Sequence, residues 1–129
     1  MARKTKKKLN EAEWEIMEGI WRFNRPVTVR EIHELLYPNG EKAYTTVQTF
    51  MNILTEKGFL KREKTGLVNF YTPTLTQEEA ARLETRKLVS RLFSGSFGAF
   101  ASYLINSGEL SDEDLKQLKS LIEQKEKKS

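Results

Sequence analysis

At 129 residues, with 31% charged and 38% hydrophobic side chains, the chain has room for one domain, or for one small domain with an appendage. It contains no cysteine, which excludes disulfides, thiolate zinc sites and thiol nucleophiles together. The net charge of +4 is concentrated: residues 1–8 carry five basic and no acidic side chains, residues 9–75 carry eight basic and nine acidic, and residues 76–129 carry nine of each.

The head, with Arg3, Lys4, Lys6, Lys7 and Lys8, has no core-forming residues. It reads as a disordered basic segment over 1–8, either a solvated tail or a sequence-independent phosphate contact. The residues after it, LNEAEWEIM, are not an uninterrupted apolar region, so the head is not a signal peptide. No apolar run approaches the roughly 20 residues of a membrane span. A cytoplasmic protein without direct membrane insertion is expected.

Leu9-Asn10-Glu11-Ala12-Glu13-Trp14 reads as a helix start. Asn10 is the N-cap, Glu13 closes a capping box, and Leu9 staples to Trp14. The pattern continues to about Phe23, with Trp14, Met17, Ile20 and Trp21 among the inward residues, and Asn24-Arg25-Pro26 breaks it. A second box follows, from Thr28 to Glu31, and opens a short helix that ends near Tyr37-Pro38-Asn39-Gly40.

The third helix, Tyr44 to Lys57, is stopped by Gly58. Val47, Phe50, Met51 and Leu54 share one side of it; Thr45, Gln48, Thr49 and Asn52 share the other. Solvated helix faces are usually rich in Glu, Lys and Arg, so an uncharged stripe of threonines and amides points to specific hydrogen bonding. Amides can pair with the edge of adenine, and Thr can offer a hydroxyl to a base or a methyl to thymine. The alternative is a polar cap on a small core helix.

After Gly58 the period changes to two. Phe59–Lys64 and Leu67–Thr72, around Thr65-Gly66, predict a hairpin closed by Pro73. Three helices and a two-stranded ribbon in about 65 residues match a winged helix-turn-helix, in which the third helix enters the major groove. Lys42, before that helix, and Arg62 and Lys64, flanking the hairpin tip, fall where phosphates would lie.

The remainder is helical. Leu75-Thr76-Gln77-Glu78-Glu79-Ala80 is a third capping box, opening a helix that carries Leu88 and Leu92 and ends at Gly95. Phe97, Phe100, Ala101 and Leu104 form a stripe at helical spacing, and Ser111 starts a last helix with Leu115, Leu118, Leu121 and Ile122 on its apolar side. Residues 76–129 are too few to bury a good core alone. Packing onto residues 9–75 is one solution; a symmetric dimer, which would set two recognition helices on a two-fold axis, is the stronger one.

Catalytic chemistry has little to stand on. His33 is the only histidine and lies beside, not among, the apolar positions of the second helix; GSFG at Gly95–Gly98 is too short for a phosphate loop. Metal ligation would need His or Cys clusters that the chain lacks. No cofactor and no enzymatic activity are expected.

With the helix and hairpin placed, AYTTVQTFMNILTEKGFLKRE resembles the signature of the penicillinase-repressor family (BlaI/MecI/CopY type). LNEAEWEIMEGIW resembles that family's first helix, VTVREIHELL its second, and LSDEDLKQLKSLI its tail. The resemblance spans roughly residues 9–125. It implies a mainly α fold, a winged helix-turn-helix domain followed by a helical dimerisation tail, acting as a homodimeric repressor on a dyad DNA operator. It also implies base contacts from Thr45, Thr46, Gln48 and Thr49. Several members carry a basic residue where this chain has Thr45 or Gln48, so phosphate binding here leans on Lys42, Lys64 and the head.

The family has two release mechanisms. Its copper-responsive members use a C-terminal cysteine motif that this chain lacks. Its β-lactam-responsive members are cut in the tail by a membrane sensor metalloprotease, and the corresponding bond here is Tyr103–Leu104, where well-known members have Asn-Phe. Two other readings stay open: a ligand-sensing winged-helix regulator with a pocket around Phe97, Phe100 and Tyr103, and a winged-helix module whose threonine face meets a protein.

Overall fold

The computed structural model describes residues 8–128. The basic head expected over residues 1–8 lies outside the described residues except for Lys8. The elements run α1 (Glu11–Trp21), α2 (Val29–Leu36), α3 (Tyr44–Glu56), β1 (Leu60–Thr65), β2 (Val68–Pro73), α4 (Gln77–Leu92), α5 (Phe97–Asn106) and α6 (Asp112–Lys128). This is the mainly helical architecture expected, three helices and a β-hairpin followed by further helices.

Local chemistry sets the helix starts. The Asn10 side chain accepts from the Glu13 N–H at 2.8 Å, and the Glu13 carboxylate accepts from the Asn10 N–H at 3.0 Å. Thr28 and Glu31 repeat the exchange at α2, and Thr76 and Glu79 at α4. Each box satisfies two N–H groups that the helix cannot. Ser96 caps α5, and Ser111 with Asp114 caps α6.

The stops differ in detail from the sequence expectation. α1 ends at Trp21 rather than Phe23, because the Arg22 and Phe23 N–H groups bond three residues back and tighten the last turn. α4 ends at Leu92, with Ser94 (φ 51°) and Gly95 (φ 81°) turning the chain before α5. At the end of α3 the Phe59 N–H bonds the Leu54 carbonyl and the Gly58 N–H bonds the Thr55 carbonyl. Gly58, at φ 92°, supplies the left-handed position this motif needs, and Phe59 and Leu54 are both buried beside it.

Two units divide the chain, one ending at Arg82 and one beginning at Leu83. The first has a single core: Ile16, Met17 and Ile20 from α1, Val27, Val29 and Ile32 around α2, Val47, Met51 and Leu54 from α3, and Phe59, Leu60 and Tyr71 from the hairpin. Helices α1 and α2 pack closely, since a Cβ on Gly19 would lie 3.1 Å from Leu36. Trp14 and Trp21 are half-buried and flank the core, edge to face at 5.5 Å, with the Trp21 indole N–H donated to the Leu75 carbonyl. Leu75 and Ala80 are buried in the same core, so the first turn of α4 belongs to this unit and the break comes after the 75/76 division read from the sequence.

The hairpin is antiparallel, with Leu60 opposite Pro73, Arg62 opposite Tyr71 and Lys64 opposite Asn69. Its turn residues are Gly66 and Leu67, one position later than the pattern indicated, and Pro73 belongs to β2 instead of following it. Gly66, at φ 64°, takes the first central position, where a two-residue hairpin turn of this hand calls for glycine. Backbone bonds in both directions between Val27 and Tyr71, at 3.0 and 2.7 Å, tie the hairpin to the segment before α2.

In the second unit Val89 is fully buried, and Phe93 packs against Phe100 and Tyr103 with ring centroids 5.3 and 5.6 Å apart. Among the described residues no single helix is long and apolar enough to cross a membrane.

Candidate nucleic-acid interface

The alternation of burial along α3 follows from its sequence. Val47, Met51 and Leu54 are fully buried, while Thr45, Thr46, Gln48 and Thr49 are exposed. Four neighbouring uncharged hydrogen-bonding side chains therefore stand in solvent. Ala43 occupies the N-cap of α3 without a side-chain hydrogen bond, and the first turn has no acidic residue. The Thr46 N–H bonds back to the Ala43 carbonyl at 3.1 Å, which leaves the Tyr44 and Thr45 N–H groups for an outside acceptor, and the positive end of the helix dipole favours an anion there.

Beside this face runs a groove of about 510 Å³, lined by Thr28, Arg30, Tyr44 and Gln48 on the helix side and by residues 67–71 on the hairpin side. The cross-strand register puts Leu60, Arg62, Lys64, Asn69 and Tyr71 on one face of the ribbon. Leu60 and Tyr71 are buried there, so Arg62 and Lys64 extend the face that packs on α3. Both are exposed.

Asn52, grouped with the stripe by periodicity, has a different environment. It is half-buried, and its side-chain oxygen accepts from Arg62 Nη1 at 2.6 Å and from the Tyr71 hydroxyl at 2.9 Å. The structure thus joins Asn52 and Arg62, one expected at bases and the other at phosphate, to each other.

Lys42 is also engaged. Its ammonium lies 5.1 Å from the Tyr37 ring centroid, and it borders a depression with Glu11, Glu15 and Glu18 on α1. Its carbonyl pairs with His33 Nε2 at 2.7 Å, and His33 meets Tyr44 edge to face. A carbonyl accepts only, so this ring nitrogen carries its proton. His33 thereby ties α2 to the start of α3. The Tyr37 hydroxyl donates to Glu15 at 2.7 Å; burial first, and then that carboxylate, push its pKa well above the usual tyrosine value. The Arg25 guanidinium, bidentate on Glu31, holds that carboxyl below its ordinary range.

Sequence reasoning missed Arg30, Tyr44 and Asn69 as groove residues. Tyr44 stands four residues before Gln48, and Asn69 faces Lys64 once the turn is placed at Gly66-Leu67. Those two carried a signal. Arg30 carried none, because its place depends on the Val27–Tyr71 pairing.

Among the residues expected at a dimer interface, Leu92, Phe97, Leu115, Leu118 and Ile122 are exposed, and Leu88, Phe100 and Leu104 are half-buried. The Tyr103–Leu104 bond lies inside α5. Phe100 and Tyr103, read alternatively as a ligand pocket with Phe97, pack on Phe93, while Phe97 is exposed. A cavity of about 750 Å³ lies elsewhere, in the first unit, between Ile20, Trp21, Pro26, Pro73 and Leu75.

Comparison with known proteins supplies the remaining constraint. The sequence model of the penicillinase repressor family matches residues 9–124. An uncharacterized 16.5 kDa protein in the ptsI 3′ region of Latilactobacillus sakei is 34% identical over 111 residues, covering 86% of this chain and 75% of that one. The penicillinase repressor of Bacillus licheniformis is 24% identical over 116 residues, 90% of each chain. Among solved structures, the monomeric form of Bacillus licheniformis BlaI in complex with the blaP half-operator is similar over 60% of this chain and 93% of that one, with 28% identity and a TM-score of 0.49.

Proposed function

The chain belongs to the penicillinase repressor family, and from that premise we propose that it is a sequence-specific DNA-binding repressor, acting in the cytoplasm as a homodimer on a dyad operator. The family is one of transcriptional regulators, not enzymes. One observation carries the reading. Thr45, Thr46, Gln48 and Thr49 form an exposed, uncharged face on a helix flanked by a ribbon bearing Arg62 and Lys64. In this reading the α3 side chains read base edges in the major groove, and the ribbon and the uncapped start of α3 hold phosphates. The relative from Bacillus licheniformis is a repressor, and BlaI from that organism is bound to a half-operator in its solved structure, which supports the choice of double-stranded DNA as partner.

The DNA-binding domain, read from the sequence as residues 9–75, then extends through the first turn of α4, and the helical remainder of residues 76–129 is the dimerisation region. Support for the dimer comes from the apolar side chains that the second unit leaves in solvent, among them Leu92, Phe97, Leu115, Leu118 and Ile122. Exposed apolar side chains at helical spacing are shielded from water when a second copy covers them. Release of the operator by proteolysis at Tyr103–Leu104, with a membrane sensor metalloprotease as agent, completes the proposal. The bond sits within α5, so cleavage requires that helix to unwind around Leu104.

Selection of bound sequences from a random duplex pool, using the intact protein, tests the proposal. The expected product is an inverted repeat whose half-site centres lie about 10 base pairs, or a multiple of that, apart. Equal retention of every duplex would refute sequence-specific recognition. Recovery of single half-sites only would refute the dimer.

A further inference from the structure

Resting on the proposed DNA-binding reading, we propose that Asn52 is a positioning residue of the interface, which aims the Arg62 guanidinium at a phosphate rather than reading a base itself. The side-chain oxygen of Asn52 is the common acceptor for Arg62 Nη1 at 2.6 Å and the Tyr71 hydroxyl at 2.9 Å. Tyr71 is buried, and its backbone is bonded in both directions to Val27 ahead of α2. The hydroxyl thus comes from the best-anchored residue of the hairpin and fixes the orientation of the Asn52 amide. That amide in turn holds an otherwise exposed arginine of β1 against α3. An amide whose oxygen is engaged twice cannot also offer it to an adenine edge, where pairing uses both the oxygen and the NH₂ group.

Arginine has five N–H donors in a rigid planar fork, so one bond to Asn52 leaves the others for a phosphate oxygen. Fixing the fork before DNA arrives removes much of the ordering cost that a free arginine would meet on binding. The same bond joins the hairpin to the reading helix and sets how far the ribbon stands from the bases. Asn52 acts on DNA through Arg62, and on every sequence alike.

A double-substitution cycle in the intact protein tests this, with DNA affinity, its salt dependence and the selected sequence all measured. Asn52→Ala and Arg62→Ala should each weaken operator and non-operator binding by a similar factor, about tenfold, and leave the preferred half-site unchanged. The double variant should be no weaker than Arg62→Ala. Arg62→Ala should lower the slope of log K against log salt by about one, the signature of one lost phosphate contact. Arg62→Lys, which keeps the charge and loses the fork, should restore the slope but not the affinity. A purely structural role for Asn52 would instead lower thermal stability and leave the cycle additive. Additive effects, or a changed base preference in Asn52→Ala, would overturn this inference alone; failure of the unsubstituted protein to bind DNA would overturn the repressor reading with it. Should Asn52→Ala fold poorly, Tyr71→Phe, which removes only the hydroxyl that orients the amide, takes its place in the cycle with Arg62→Ala, and additive effects there would overturn the inference equally.

Discussion

Lys57, at the C-cap of α3, places its ammonium 2.7 and 2.9 Å from the two carboxylate oxygens of Glu13 in the first turn of α1. Glu13 is 2% exposed, the one buried charged residue among the described residues, and it also accepts the Asn10 N–H of its own capping box. The pair joins the start of the helix that opens the fold to the end of the helix that carries the exposed, uncharged face. Removing one partner from a buried pair strands the other charge, at roughly 3–5 kcal/mol. Because Lys57 keeps partial solvent contact, Lys57→Met is expected at the lower end, about 3 kcal/mol, in urea denaturation. Glu13→Ala should cost at least as much, since it also opens the capping box. With Glu13→Gln as the second single, the double variant Glu13→Gln, Lys57→Met should recover part of the loss, and a cost equal to the sum of those two singles would refute the coupling.

On the proposed reading, the side chains of α3 and those of the hairpin divide by task. Gln48→Ala or Thr49→Ala should reduce discrimination at individual operator positions by about 1–3 kcal/mol per base contact and leave the salt slope unchanged. Lys64→Ala should weaken all duplexes together and lower that slope by about one. Fluorescence anisotropy titrations at several salt concentrations, on the operator and on single-base variants, separate the two behaviours. A Gln48→Ala protein with unaltered discrimination would remove that residue from the reading set.

The dimer prediction rests on α6. Leu118 and Ile122 lie four residues apart on its apolar side, and both are exposed in the single chain. Leu118→Asp with Ile122→Glu should yield monomers in sedimentation equilibrium while α6 stays helical, because neither side chain contributes to a buried core within the chain. Affinity for a full dyad should fall toward that for one half-site. An unchanged dimer mass would remove Leu118 and Ile122 from the interface.

Tyr37 predicts an alkaline limit. Its hydroxyl has a folded pKa raised above its unfolded value, by burial and then by the Glu15 carboxylate. A group of this kind binds its proton more tightly when folded. Its stabilisation is complete below about pH 10, the ordinary tyrosine value, and is lost as pH rises through the folded pKa. Tyr37→Phe should therefore flatten the fall in stability above about pH 10 in thermal melts, with little change in that slope at neutral pH. Glu31 acts at the other end. The Arg25 side chain lowers its folded pKa, so its contribution holds above the ordinary carboxylate range and is lost as pH falls through the folded value. That contribution should be small, since the pair is largely solvated.

Much of this molecule is local in origin. The boxes at Asn10, Thr28 and Thr76 could be read directly, because both partners of each bond lie three residues apart and meet whenever the helix starts there. The same holds for Gly58 at the end of α3 and for the division of that helix into a buried Val47, Met51, Leu54 side and an exposed Thr45, Gln48, Thr49 side. The hairpin was legible as a pattern but its turn was displaced by one residue, since Thr65-Gly66 and Gly66-Leu67 both satisfy a glycine-containing turn and only cross-strand pairing chooses between them.

What the sequence alone determined, then, is the order of the elements, their caps and the uncharged stripe, all governed by contacts within about four residues. What only the tertiary structure decided is what each polar group on those elements meets. Asn52 falls on the same side of a helical wheel as Gln48, yet it is taken out of the exposed stripe by partners 10 and 19 residues away. Glu13 looks like a first-turn carboxylate, and a lysine 44 residues on makes it a buried ion pair. Helical periodicity specifies the direction a side chain takes from its own axis. Only the packing of a second element specifies whether water, a hydroxyl or a guanidinium waits there.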